Sequence, residues 1–347
     1  MLVILVSVLL VAISPRALGL QVTGLYSHEL PVANESDAER SRAFSAALSA
    51  VIVKLTGTDS ALRVPGVERA LSRAGEYVEG VSYSSGGGDT VQRSMKVDFS
   101  PSLVEELLRT LGIPIWNSNR PSVLVWIVLQ NAEGERRLMN PELDQEISDI
   151  LSGFAMSRGL PLIYPVLDFE DRRNLSEGSL WDFDAEAIAA ASRRYGPDSI
   201  LAGRIHFTPG NELVGLWRFQ FQGEVEVFDG LDVELSAYLE SPLEQVTEKL
   251  ANYFALPSVM TIEQLVRLRV DGVRNLEDYA ALLSYVQGLG IVEDFALAEL
   301  EAERIELNLR VLGTGQRLGE LIALDRNLIP IDSAPGSDAF LHYRWTR

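Results

Sequence analysis

The chain has 347 residues, 47% of them hydrophobic, and its 30 Lys and Arg against 49 Asp and Glu give a formal net charge of −19. A chain this acidic repels nucleic acid and anionic membrane surfaces, which excludes both as expected partners. It contains no cysteine, which excludes disulfides, thiolate metal sites, thiol nucleophiles and the lipid-bearing cysteine of a bacterial lipoprotein.

Leu2 to Ile13 is an uncharged apolar run, followed by Ser14-Pro15-Arg16 and the small-x-small tripeptide Ala17-Leu18-Gly19. That pattern reads as a secretory signal peptide cleaved after Gly19, leaving Leu20 as the new N-terminus. The run is shorter than the roughly 20 residues that span a bilayer. Its weak point is the n-region, where the amino group of Met1 supplies the only positive charge. A buried N-terminal strand or an uncleaved anchor are the alternatives. On the signal-peptide reading the mature protein is periplasmic, soluble and not lipid-anchored.

Residues 20–116 read as a small α+β domain. Val22 to Val32 is strand-like, and Ser36-Asp37-Ala38-Glu39 has the form of a capping box. The helix it opens carries Phe44, Leu48, Val51, Ile52 and Leu55 on one face and stops at Gly57. Tyr77 to Ser84 and Thr90 to Phe99 form a hairpin around Gly86-Gly87-Gly88-Asp89. Ser100-Pro101 then starts a short helix that ends near Gly112. Pro114 to Pro121, with Asn117, Ser118 and Asn119 inside it, has the composition of a linker.

Residues 121–257 read as a mixed-sheet αβ domain. Val123 to Leu129 is a continuous apolar run, as in a strand buried on both faces. Helices are expected from Pro141 to Arg158, Asp184 to Tyr195 and Pro242 to Ala255, with strands at Leu162 to Tyr164, Ser199 to Phe207, Leu213 to Gln222 and Glu224 to Phe228. Alternating strands and helices imply a partly parallel sheet, with the last two strands antiparallel at its edge. Phe169 to Asp184 shows neither periodicity and reads as a long loop. Residues 260–347 follow the order βαββαβ of a ferredoxin-like domain. There Ala339 to Trp345 is either an added edge strand or a tail.

The chemistry-bearing patterns are sparse. Gly313-Thr314-Gly315-Gln316-Arg317-Leu318-Gly319 follows a strand and opens a helix, but its spacing misses the dinucleotide fingerprint and a tight turn is the simpler role. His28, His206 and His342 fall one per module, without the paired spacing of a zinc helix. Asp168, Glu170, Asp171, Asp182 and Asp184 gather carboxylates that could suit calcium, yet no twelve-residue calcium loop is present, and Asp182 or Asp184 serves better as a helix cap. No catalytic residue, cofactor or metal ligand is therefore nominated. Trp181 and Phe183, in the loop-like stretch, are the candidate partner-binding residues, the alternative being that the loop folds back and buries them.

Tyr26 to Thr58 (YSHELPVANESDAERSRAFSAALSAVIVKLTGT), Arg158 to Leu162 and Tyr195 to Arg204 resemble the bacterial "domain of unknown function 2066" proteins over most of the mature chain. The resemblance implies an envelope protein of Gram-negative bacteria and transfers no catalytic residue. The central module is also similar, in strand–helix order and in Tyr195 to Arg204, to the N-terminal domain of TolB and to modules of flagellar ring proteins. The functional expectation is a non-catalytic adaptor that binds another envelope component. Its alternatives are a hydrolase with an inter-domain active site and a subunit of a ring or sheath.

Overall fold

The computed structural model describes residues 22–85, 93–210, 212–255, 263–324, 327–331 and 340–346. The signal sequence and its cleavage point at Gly19 and Leu20 lie outside the described residues, as does the Gly86–Asp89 turn.

Strand β1 (Ser27–Val32) leads to helix α1 (Asp37–Thr56). Ala43, Ala47, Leu48, Val51, Ile52 and Leu55 recur at three- and four-residue spacing and are buried. Half of the expected capping box forms: Ser36 Oγ accepts from the Glu39 amide at 3.3 Å. The other half does not, because Arg42 grips the Glu39 carboxylate, which accepts from the Ala33 amide instead of that of Ser36. Gly57 ends the helix at φ 73°, a left-handed conformation that suits glycine. Helix α2 (Pro65–Leu71) lies between two 3₁₀ turns, and strands β2 (Val78–Ser85) and β3 (Arg93–Phe99) precede helix α3 (Pro101–Thr110). The sheet order is β1-β3-β2, antiparallel throughout, and it encloses a core running from Leu25 to Ile113.

The central module comprises β4 (Val123–Gln130), β5 (Arg136–Leu138), α4 (Gln145–Arg158), β6 (Leu162–Ile163), α5 (Phe169–Asn174), α6 (Glu177–Trp181), α7 (Ala185–Ser192), β7 (Ser199–Phe207), β8 (Leu213–Phe221), β9 (Glu224–Asp232) and α8 (Leu235–Phe254). The order is β5-β4-β7-β8-β9, with β6 also on β4; β4 runs parallel to β6 and β7, and the remaining pairs are antiparallel. Alternate residues of β4 serve two cores. Val123, Val125, Ile127 and Leu129 join Leu151 of α4 and Leu243 of α8, whereas Leu124, Trp126 and Val128 join Leu180 of α6 and Ile188 of α7. Two expectations change here. The stretch Phe169 to Asp184 contains α5 and α6, which at six and five residues are too short to show helical periodicity. Helix α8 begins seven residues before Pro242, because Leu235, Tyr238 and Leu239 continue the buried stripe upstream of the proline.

The last module comprises β10 (Glu263–Asp271), α9 (Leu276–Gly288), β11 (Val292–Glu301), β12 (Arg304–Leu312), α10 (Gly315–Ala323), β13 (Leu328–Pro330) and β14 (Phe340–Trp345). The βαββαβ succession is present, but the sheet order is β11-β12-β10-β14-β13. The final segment is neither edge strand nor tail. It inserts parallel to β10, burying Tyr343 and Trp345 and pushing the three-residue β13 to the edge. The whole is a multi-module α+β fold.

The expected linker is a buried junction. Trp116, Asn119 and Arg120 are buried, and the Trp116 amide donates to Leu55 O at 2.7 Å. Asn119 Nδ2 donates to Leu321 O of α10 at 2.6 Å. Arg120 stacks over the Trp116 ring at 4.2 Å and donates to five carbonyls: Lys54 of α1, Arg158 and Gly159 at the end of α4, and Asn117 and Trp116. Burial pushes its pKa down to about 9, still well above neutrality. The cation thus compensates the negative ends of two helices from different modules at once. Among the described residues, no helix is long and apolar enough to cross a membrane.

Candidate docking cleft on the central sheet

Three successive short helices position the site, each started by its own side chain. Asp168 Oδ1 accepts from the amides of Glu170 and Asp171, Ser176 Oγ from Ser179, and Asp184 Oδ1 from Glu186 and Ala187. Leu175, Leu180 and Ile188 pin the three helices to β4 and β7. Trp181, the last residue of α6, and Phe183 are half-buried against this core. Neither is a free anchor, and neither is fully buried.

Both aromatics carry arginines. The Arg136 guanidinium lies 4.0 Å from the Trp181 ring centre, and Arg204 lies 5.5 Å from Trp181 and 5.4 Å from Phe183. Arg204 Nη1 also donates to Trp181 O at 2.9 Å. Arg136 Nε donates to Gln130 Oε1 at 2.8 Å, and Gln130 Nε2 lies 3.3 Å from His206 Nδ1. Trp181 forms one wall of a cleft of about 810 Å³ whose floor is the outer face of β7, β8 and β9, with Val214, Leu216, Asp229 and Leu231 on it. The sequence singled out Trp181 as a partner-binding aromatic but not Gln130, Arg136 or Arg204 around it. The signal was the alternation in β7, where Arg204 and His206 interrupt an otherwise apolar strand at every second residue.

The other candidates resolve into structural roles. Asp168, Glu170 and Asp171 surround Arg194, whose Nη1 lies 2.7, 3.5 and 3.4 Å from their oxygens. Asp171 is fully buried and accepts from the Leu167 amide and the Tyr195 hydroxyl. Asp182 is exposed at the end of α6, and Asp184 caps α7. Among the described residues, no group of His and carboxylate side chains is arranged to hold a metal ion. His28 lies on β1, His206 beside Gln130, and His342 3.0 Å from Asp271, so the fold keeps the three histidines apart. In the Gly313–Gly319 segment Gly313 takes φ 112° at the strand-to-helix turn and Thr314 caps α10.

A second cleft, of about 710 Å³, opens between Leu129, Phe207 and the start of α4, outside the carboxyl ends of the parallel strands β4 and β7. Its principal charges are already matched, since Arg137 grips Asp144 in a two-pronged pair at 2.7 and 2.5 Å.

Residues 20–117 match the model of a "Domain of unknown function (DUF8605)", an uncharacterised domain and a different one from the resemblance read in the sequence. No curated protein matches the chain. One solved structure, described as "Crystal structure of uncharacterized protein", is 12% identical over 39% of this chain and 92% of its own, with a TM-score of 0.19.

Proposed function

We propose that this chain is a non-catalytic adaptor of the Gram-negative envelope that binds its partner on the outer face of the central sheet, beside Trp181. The observation that carries the reading is the exposed apolar surface of β8 and β9, where Val227 is 58% and Leu231 70% accessible next to an arginine-stacked tryptophan. Isolated exposed side chains are ordinary, but neighbours on one sheet face form a patch of the kind proteins use for association. Trp116 and Arg120 fill part of the inter-module junction, and the cleft of about 370 Å³ left beside them, between Leu25, Lys54, Ser152 and Tyr164, has no histidine or carboxylate among its lining residues to activate a hydrolase nucleophile. The envelope location rests on the signal-like N-terminus and on the resemblance to domain of unknown function 2066 proteins and to TolB.

A photo-crosslinking residue at Val227, in cells, tests the reading, with the more exposed Leu276, on the C-terminal module, as control. A discrete adduct from position 227 that is absent from position 276 and is lost on Trp181→Ala supports it. No adduct, or the same adducts from both positions, overturns it.

A further inference from the structure

The helical layer over the outer face of the central sheet stops half-way. Helices α5 to α7 lie over β4 and β7, whose Leu124, Trp126, Val128 and Ala202 they bury. Over β8 and β9 the same face is open among the described residues. Register defines what it presents: across the strands run the rows His206–Val214–Leu231, Arg204–Leu216–Asp229 and Ala202–Arg218–Val227, with Gln220 and Val225 beyond. Two strands at about 4.8 Å spacing make a strip about 10 Å wide, the diameter of one α-helix. Nine residues per strand make it about 30 Å long, which takes a helix of some 18–20 residues to cover.

The charges on this strip run against those of the chain. The protein is strongly acidic, and most of its arginines face a carboxylate, yet Arg136, Arg204 and Arg218 form no ion pair among the described residues. Among the described residues Arg218 donates to Gln220 of its own strand alone. Asp229 is the one carboxylate among the residues lining the cleft. Glu224 and Glu226 point to the opposite face, where Glu226 pairs with Lys249. The open strip therefore sets Val214, Leu216, Val225, Val227 and Leu231 around Arg218, Gln220 and Asp229, with Arg204 along its β7 edge, on a module that is otherwise acidic.

We propose that this strip receives an acidic amphipathic helix of a partner protein, completing the layer that α5 to α7 begin. Its apolar stripe lies on Val214, Leu216, Val225, Val227 and Leu231, and its carboxylates meet Arg204 and Arg218. This deepens the docking reading above and rests on it.

Selection from a displayed library of 18-residue amphipathic peptides, identical in apolar stripe and carrying Glu, Gln or Lys on the flanking positions, tests the class of partner on the full chain. The expected result is enrichment of the Glu peptides, with affinity falling about ten-fold or more in Arg218→Glu, a half-buried position on the open face whose variant is first checked for an unchanged melting temperature, and falling steeply with salt. Val227→Asp abolishes binding of every class. Enrichment of Lys or Gln peptides, or no enrichment, overturns the acidic-helix proposal. So does sedimentation showing that the chain buries Val227 against a second copy of itself. If peptide selection fails while the Val227 crosslink succeeds, docking stands and the helix class falls; if both fail, the docking face falls too.

Discussion

Asp171 shows how a single buried carboxylate organises the helices beneath Trp181. It accepts from the Leu167 amide at 2.8 Å and the Tyr195 hydroxyl at 2.5 Å, while Arg194 supplies the opposing charge. Burial and that hydrogen bond push the Tyr195 pKa up to about 12, so the tyrosine remains a donor throughout the neutral range. Asp171→Ala leaves a buried amide and hydroxyl without an acceptor and is expected to cost about 3 kcal/mol in urea unfolding, with Asp171→Asn costing less. Asp144 contributes differently. The hydrogen bond from Arg137 holds its carboxyl below the usual value, so the unfolded chain binds the proton first as pH falls. The stabilisation is present above about pH 4 and is lost as pH drops through the depressed folded value. Melting temperature measured from pH 6 to pH 2 is expected to fall less steeply in Asp144→Asn than in the parent protein.

At the scale of elements, packing explains both what the sequence makes legible and what it conceals. Helix α1 was readable because its stripe, from Ala43 to Leu55, spans more than three turns and its ends carry Ser36 and Gly57. The central sheet was readable because β4 is apolar on both faces. Helices α5 and α6 were hidden by brevity, although their caps at Asp168 and Ser176 stand eight residues apart in line with Asp184. The arginine-stacked cleft was half legible. Trp181 stood out as an aromatic, whereas Arg204 and Arg136 reach it only through strand register, which pairs β4 with β7 across 76 residues and with β5 opposite Gln130. A close approach also fixes α8 on the sheet: Gly215 and Gly230 sit opposite each other on β8 and β9, and Tyr238 fills the space their missing side chains leave. A Cβ on Gly215 would overlap the Arg204 carbonyl oxygen and the Tyr238 hydroxyl; one on Gly230 would meet only the Tyr238 ring, at 2.8 Å. Backbone cannot yield as a ring can. Gly215→Ala is expected to destabilise by about 3 kcal/mol or more and Gly230→Ala by about half that, compared by chemical denaturation.

For the whole molecule, the question is how many units unfold. The central and C-terminal sheets share one continuous core, reinforced where Arg317 of α10 stacks on Tyr253 of α8 at 4.5 Å. The N-terminal module has a core of its own and is joined to the rest through the junction and where α1 packs on α4. Calorimetry is expected to give a single transition for the parent and two for Arg120→Ala, with the N-terminal module melting first; one unchanged transition in the variant would show that Arg120 is not the coupling element. The sequence suggested a linker at Pro114 to Pro121 because its composition is that of a loop. Carbonyl acceptors at Lys54 on one side and at Arg158 and Gly159 on the other, with Trp116 and Asn117 of the segment itself, are invisible in composition and make it a rivet. The same arrangement sets an order on synthesis. A nascent chain holds every residue of the N-terminal core once Ile113 has left the ribosome, and that module can close while the rest is still being made. Arg120 emerges next with acceptors only behind it, and the carbonyls of Arg158 and Gly159 follow some forty residues later. Through that interval the guanidinium must stay hydrated, which delays final seating of the module until α4 has been made.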